Sequence, residues 1–225
     1  MEAIILAGGL GTRLRSVCPN LPKPLAPVHN KPFLSYLMSY WKSQGVTHFI
    51  LSVGYLHEKV INTYGKAFED IPIDYAIEKI PLGTGGALLH ALHHLHNPKN
   101  PFLVLNGDTL FQIPLKEFAL NGDCMLALYQ AEKNTRYDGI ILSDKGQILK
   151  LGDPTSSLIN GGCYLFQKNL FTDFKGESLS LEKELLPILI HQGRCFGKAF
   201  EKPFIDIGIP KDYQRFIALC STKSH

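Results

Sequence analysis

No apolar run in this sequence approaches the length of a membrane-crossing helix. The opening stretch Ala3-Ile4-Ile5-Leu6-Ala7 is short, and Glu2 stands where a cleaved leader would carry basic residues. Neither a membrane partner nor a leader is expected, and the cytoplasm is the expected compartment. Close cysteine pairs are also lacking. Cys18, Cys124, Cys163, Cys195 and Cys220 are odd in number and contain no C-x-x-C spacing, which argues for free thiols in a reducing environment. An excess of one charge is missing too. The net charge is only +3, and the basic residues are scattered, so no nucleic-acid partner is expected.

What is present is enough apolar material for a sizeable core: 45% of 225 residues are hydrophobic. Strand-like and helix-like runs alternate through the first half. Strands are expected near 3–7, 48–53, 72–77 and 102–106, with helices near 33–44, 57–67 and 85–95. Such alternation implies right-handed β-α-β crossovers and an α/β fold with a doubly wound, mostly parallel, Rossmann-like sheet. The second half is more mixed, with strands expected near 124–130, 138–142, 147–151, 161–166 and 195–200 and helices near 181–192 and 211–220. No linker, internal repeat or low-complexity segment interrupts the chain, so one domain over 1–225 is the simplest organisation.

Ligands of open parallel sheets sit at the carboxyl ends of the strands. Four loops at such positions have unusual chemistry. The first is Gly8-Gly9-Leu10-Gly11-Thr12-Arg13-Leu14-Arg15, where a glycine turn lets backbone N–H groups approach an anion and Arg13, with Lys23 from the following Leu21-Pro22-Lys23-Pro24-Leu25, adds cations. The dinucleotide fingerprint is incomplete, because Leu14 occupies its third glycine position and no acid follows the second strand; no Gly-Lys-Ser/Thr completes a P-loop. A nicotinamide-dependent oxidoreductase therefore fits poorly. The second is Glu78-Lys79-Ile80-Pro81-Leu82-Gly83-Thr84-Gly85-Gly86, a glycine-rich entry to a helix that can offer main-chain groups to a base or phosphate. The third and fourth are Leu105-Asn106-Gly107-Asp108 and Phe204-Ile205-Asp206-Ile207-Gly208. Each is an apolar run delivering one acid, suited to holding Mg²⁺ beside phosphates, although a lone strand-end Asp is more often a turn or cap residue.

In order and mutual spacing, LAGGLGTRL with PKPL, EKIPLGTGGAL, NGD, Asn160-Gly161-Gly162-Cys163-Tyr164-Leu165-Phe166 and FIDIGIPKDY resemble the sugar-1-phosphate nucleotidyltransferase family over nearly the whole chain. The resemblance implies a GT-A-like domain with a nucleotide-binding half at 1–110 and a sugar-binding half at 111–225. It implies an NTP and a sugar 1-phosphate as partners and Mg²⁺ as cofactor. The residues implied for the nucleotide are Leu6, Ala7, Gly8, Gly9, Gly11, Thr12, Arg13, Lys23, Glu78, Gly83, Thr84 and Asp108, with Arg13, Lys23 and Asp108 catalytic. Asn160, Gly161 and Glu182 are implied for the sugar, and Asp108 with Asp206 for the metal. Within the family the likeness is to short enzymes making nucleotide-activated heptose, which implies GTP and a heptose 1-phosphate; cytidylyl or uridylyl transfer to another sugar phosphate stays open. So do a catalytically silent sugar-nucleotide sensor and a homodimer.

One departure stands out. Many relatives carry Glu-Lys-Pro where this chain has Leu151-Gly152-Asp153-Pro154, so their sugar-phosphate lysine is missing, with Lys150 or Lys202 as candidate substitutes. Other features take plainer readings. His90, His93, His94 and His96 are expected as a solvated helix end rather than a metal site, Trp41 as core or subunit interface, and Cys163 as a small buried residue rather than a nucleophile.

Overall fold

The continuous apolar runs become strands buried on both faces, and the amphipathic stretches become helices laid across them. The computed structural model describes residues 1–9, 14, 18–97, 99–131, 139–174 and 178–221. β1 (Glu2–Leu6) is followed by a small ribbon of β2 (Pro27–Val28) and β3 (Lys31–Pro32), then α1 (Phe33–Ser43), β4 (His48–Val53) and α2 (His57–Tyr64). A short β5 (Ala67–Phe68) precedes β6 (Ile71–Ile77), α3 (Gly83–Ala91) and β7 (Phe102–Asn106). The later part supplies β8 (Thr109–Phe111), β9 (Cys124–Gln130), β10 (Ile140–Leu142), β11 (Ile148–Leu151) and β12 (Leu158–Phe166). It ends with α4 (Leu186–His191), β13 (Cys195–Phe200), β14 (Phe204–Asp206) and α5 (Pro210–Ser221).

Eight strands form one sheet in the order β13-β9-β12-β7-β1-β4-β6-β5. The core of that sheet, β7-β1-β4-β6, is parallel, and β13 is parallel to β9. β12 runs antiparallel to both of its neighbours, and β5 closes the far edge antiparallel to β6. Successive crossovers lead from β1 outward through β4 to β6, and the chain then returns to place β7 on the other side of β1. The strand order therefore switches direction beside β1, where the carboxyl ends diverge and leave a crevice.

Alternation along β1 divides the core into two layers. Ala3 and Ile5 face the α1 side with Phe33, Leu37 and Trp41, while Ile4 faces the α3 side with Leu88, Leu92 and Tyr164. Trp41 is fully buried and belongs to the core, not to a subunit surface.

Several boundaries differ from the sequence reading for local reasons. α2 stops at Tyr64 because Gly65 turns the chain at φ +60°. α3 gives way after Ala91 to a tighter turn over Leu92–His94. The expected helix at 181–192 opens as a π turn, Leu181–Leu185, before α4. Pro187 in the first turn of α4 has no amide to give, and the wide turn is closed by the Leu185 amide donating to the Ser180 carbonyl at 3.2 Å. The ribbon β8–β14 has no counterpart in the sequence reading. It pairs antiparallel with Asp206 opposite Thr109.

Candidate active site

A cleft of about 710 Å³ opens at the carboxyl ends of β1, β4 and β7. In the register of these strands Leu6 lies beside both Ser52 and Asn106. The Ala7 amide donates to the Ser52 carbonyl at 2.8 Å, and the Gly107 amide donates to the Leu6 carbonyl at 2.9 Å. Gly107 is needed for that approach, because a Cβ there would lie 2.7 Å from the Leu6 oxygen. The walls include Leu6, Ala7, Gly8, Gly9 and Lys23 from the first loops, and Glu78, Gly83, Thr84 and Asp108 from the later ones. Gly11, Thr12 and Arg13 lie outside the described residues.

The glycine loop is pinned from one side and open on the other. A Cβ on Gly8 would meet Glu78 Oε1 at 2.2 Å, whereas a Cβ on Gly9 has nothing within 4 Å. Glu78 in turn accepts from the Ser52 hydroxyl (3.4 Å) and from the Leu82 amide (3.1 Å), which ties the end of β4 to the entry of α3.

Asp108 is the acid at the tip of β7, and the Lys23 ammonium is ion-paired and hydrogen-bonded to its Oδ2. Its Oδ1 accepts from the Thr109 hydroxyl at 3.2 Å, and its main-chain carbonyl accepts from the Ile207 amide at 2.9 Å. Asp206 lies across the β8–β14 ribbon, opposite Thr109, with Oδ1 accepting from the Gly208 amide at 2.6 Å. Asp108 immediately precedes the ribbon, and Asp206 is the last residue of its second strand. Asn106 adds a buried side-chain oxygen that has no hydrogen-bond partner among the described residues. Asp108, Asp206 opposite Thr109 and the orphan Asn106 oxygen are hard-oxygen donors of the kind a divalent ion takes.

The start of α3 does something other than present bare amides. The Gly85 and Gly86 amides both donate to the Leu179 carbonyl (2.9 and 3.2 Å), and the Leu179 amide donates to the Leu82 carbonyl at 2.9 Å. The Thr84 hydroxyl donates to Glu182 Oε2 at 2.7 Å and accepts from the Leu181 amide at 2.9 Å. This end of the helix is therefore docked on the 178–182 segment.

Docking extends into a buried polar chain. Asn160 Nδ2 donates to the Tyr164 hydroxyl at 2.8 Å, Tyr164 donates to Glu182 Oε1 at 3.3 Å, and Asn160 Oδ1 accepts from the Gly162 amide at 3.0 Å. Burial first, and then the neighbouring Glu182 carboxylate, push the Tyr164 phenol well above its ordinary value, so it remains a donor. Asn160, Glu182 and Thr84 are brought into one network, while Asn160, Gly161, Glu182 and Asp206 are not among the described walls of the 710 Å³ cleft. Gly161 packs closely: a Cβ there would meet the Phe111 ring at 2.3 Å and the Ala127 carbonyl at 2.9 Å.

Lys150 is committed elsewhere. Its ammonium lies 3.0 Å from Asp153 Oδ2, and Asp153 also accepts from the Thr155 amide at 2.9 Å and from its hydroxyl. Those Thr155 bonds, with Lys150, hold the Asp153 carboxyl down at about 2. Cys163 is sealed in the core, and burial drives its thiol far above the ordinary range.

Asn106 and Tyr164 carry roles that the sequence reading did not assign. Both sit inside the quoted strands NGD and NGGCYLF, and a polar residue in an otherwise apolar buried strand was the available signal. A third correction concerns His96. It is not simply solvated, since its Nε2 lies 3.1 Å from Asp74 Oδ2 and its ring stacks on His48.

Residues 2–221 match the Nucleotidyl transferase family. The chain belongs to that family. It is an enzyme of nucleotidyl transfer to sugar 1-phosphates on an α/β fold with a mostly parallel sheet. It is 40% identical to the D-glycero-alpha-D-manno-heptose 1-phosphate guanylyltransferase of Campylobacter jejuni over 96% of this chain and 99% of that one. The enzyme of the same name from Aneurinibacillus thermoaerophilus is also 40% identical, over 96% of both chains. The crystal structure of HddC from Yersinia pseudotuberculosis complexed with GMP-PN superposes with a TM-score of 0.87 at 33% identity, covering 97% of this chain and 99% of that chain. Among the described residues no helix of this nucleotidyltransferase is long and apolar enough to cross a membrane.

Proposed function

We propose that this nucleotidyltransferase transfers GMP from GTP to D-glycero-α-D-manno-heptose 1-phosphate, releasing pyrophosphate, with Mg²⁺ and in the cytoplasm. The observation that carries the proposal is 40% identity to two guanylyltransferases of that acceptor over at least 96% of every chain compared.

The chemistry asks little covalent work of the protein. The attacking oxygen belongs to a phosphate monoester whose second pKa is about 6, so it is anionic near neutrality and needs no general base. Two mutually repelling anions must instead be held in line while charge grows on the departing pyrophosphate. On this reading Leu6, Ala7, Gly8, Gly9, Gly11 and Thr12 bind the nucleotide, Gly9 leaving room for the triphosphate, and Arg13 and Lys23 supply charge to the phosphates. Glu78, Gly83 and Thr84 border the nucleoside. Asp108 and Asp206 hold the metal. A divalent ion held there would supply positive charge to offset the charge that develops on the phosphates. Lys23 then exchanges the Asp108 carboxylate for a phosphate oxygen, which the reach of a flexible ammonium allows. Asn160 and Glu182, fixed by Tyr164 and Thr84, orient the sugar from the 111–225 half.

The test crosses GTP, CTP and UTP with heptose 1-phosphate and mannose 1-phosphate in Mg²⁺, reading pyrophosphate release and product mass. GDP-heptose as the best product by kcat/KM is expected. A higher kcat/KM with CTP or UTP, or with mannose 1-phosphate, overturns the proposed substrate pair, and no pyrophosphate with any pair favours a silent sensor.

A further inference from the structure

At the other end of the sheet, where β1 and β4 begin, four side chains from separate segments converge. Glu2 and His48 are register partners on adjacent strands, and both are buried. His48 Nδ1 lies 2.9 Å from Glu2 Oε1, and its Nε2 lies 3.0 Å from Asp74 Oδ2. His96 Nε2 lies 3.1 Å from the same Asp74 oxygen, and the two imidazoles stack with centroids 4.2 Å apart. One ligand atom from each of Glu2, His48 and His96 falls within 4.8 Å of the others.

We propose that His48, His96 and Asp74 bind a first-row transition-metal ion of the zinc class, oriented by Glu2. The geometry motivates it. Two imidazole nitrogens from separate segments, His48 Nε2 and His96 Nε2, both face the single oxygen Asp74 Oδ2, and imidazole with carboxylate is a donor set that zinc takes. Tetrahedral donors bound to one Zn²⁺ at about 2.0–2.2 Å are about 3.3–3.6 Å apart, so the spacings of 3.0 and 3.1 Å need open by only a few tenths of an ångström to admit the ion.

Glu2 has the form of an orienting group. Its two oxygens accept from the His96 amide (2.9 Å) and the Asn97 amide (2.8 Å) as well as facing His48 Nδ1, so three of its roughly four lone pairs are engaged. A buried carboxylate on the outer nitrogen of a ligating histidine fixes the ring and raises its basicity. Imidazole with carboxylate selects zinc, nickel or cobalt over magnesium, so this site and the oxygen site of the cleft would take different ions. The ion would join β1, β4, β6 and the turn that follows α3.

The experiment is calorimetric titration of ZnCl2 into the full chain in excess MgCl2, with thermal melts alongside. The side chains of His96 and Asp74 are 64% and 42% exposed, so His96→Ala and Asp74→Asn are expected to fold. One equivalent of Zn²⁺ should bind at micromolar Kd or tighter and raise Tm. His96→Ala and Asp74→Asn should each weaken binding at least tenfold, and the exposed neighbour variant His93→Ala should leave it unchanged. No uptake in excess Mg²⁺, wild-type affinity in His96→Ala or Asp74→Asn, or equal loss in His93→Ala (surface chelation by the histidine row only) would each overturn the proposal.

Discussion

The Lys23 ammonium is seated on the Asp108 carboxylate, so the cation and the acid of the cleft neutralise each other in this structure. Under the proposed function, substrate and metal would separate them. If Asp108 and Asp206 share the metal, Asp108→Asn and Asp206→Asn should each lower kcat by about 10²–10³, the scale of losing one major electrostatic stabiliser. Pyrophosphate release measures this. Turnover within threefold of wild type in either variant would rule out the two-carboxylate arrangement.

Metal removal gives the complementary readout. EDTA should abolish turnover and added Mg²⁺ should restore it, while circular dichroism stays unchanged, because Asp108 is tied by Lys23 and the Thr109 hydroxyl, and Asp206 by the Gly208 amide, without the ion. Full activity in EDTA would remove the metal from the mechanism.

Gly8 and Gly9 should separate packing from ligand space. Gly8→Ala can be housed only by turning Glu78 away, which breaks its bond to the Leu82 amide and should cost about 1 kcal/mol of stability. Gly9→Ala meets nothing within 4 Å, so its stability should stay within about 0.5 kcal/mol of wild type while GTP affinity falls at least tenfold. Calorimetric titration of GTP and a thermal melt of each variant decide it; unchanged GTP affinity in Gly9→Ala would mean that the triphosphate does not pass over this loop.

The parallel sheet was legible because runs such as Phe102–Asn106 and His48–Val53 are apolar through their middles, as strands covered on both faces must be. The ribbon of Thr109–Phe111 with Phe204–Asp206 was not, since three residues show no periodicity and the pairing spans distant parts of the chain. The glycines of α3 read as a ligand cradle, yet two of their amides are taken by Leu179, a residue that no local pattern links to them. The cluster of Glu2, His48, Asp74 and His96 was hidden for the same reason. Each residue is ordinary in its own segment, and only the strand register brings them together.

Tyr164→Phe tests the buried polar chain. The hydroxyl is fully enclosed between Asn160 and Glu182, so its loss leaves an amide donor and a carboxylate oxygen short of partners and should cost about 1–2 kcal/mol. With Asn160 and Glu182 less firmly held, KM for the sugar phosphate should rise several-fold while KM for GTP holds. A rise confined to GTP would assign the network to the other substrate.

Gly83 offers the sharpest test of how the two halves are joined. Its φ of +70° is strained for any L side chain, and a Cβ would stand 2.5 Å from the Leu179 carbonyl oxygen, a main-chain atom that cannot swing aside. Gly83→Ala should therefore lower stability by about 1–3 kcal/mol, and the relief available is to lift the 178–182 segment off α3. That movement would break the Thr84–Glu182 hydrogen bond and release one end of the Tyr164 chain. Although Gly83 lines the 710 Å³ cleft proposed for the nucleotide, its replacement should then raise KM for the sugar phosphate at least as much as KM for GTP. Thr84→Val, which removes the same bond without backbone strain, should reproduce the kinetic change with a smaller loss of Tm. Steady-state kinetics with each substrate varied in turn will show the difference: a purely GTP-side defect in both variants would mean that Glu182 is not held by α3 in the working enzyme.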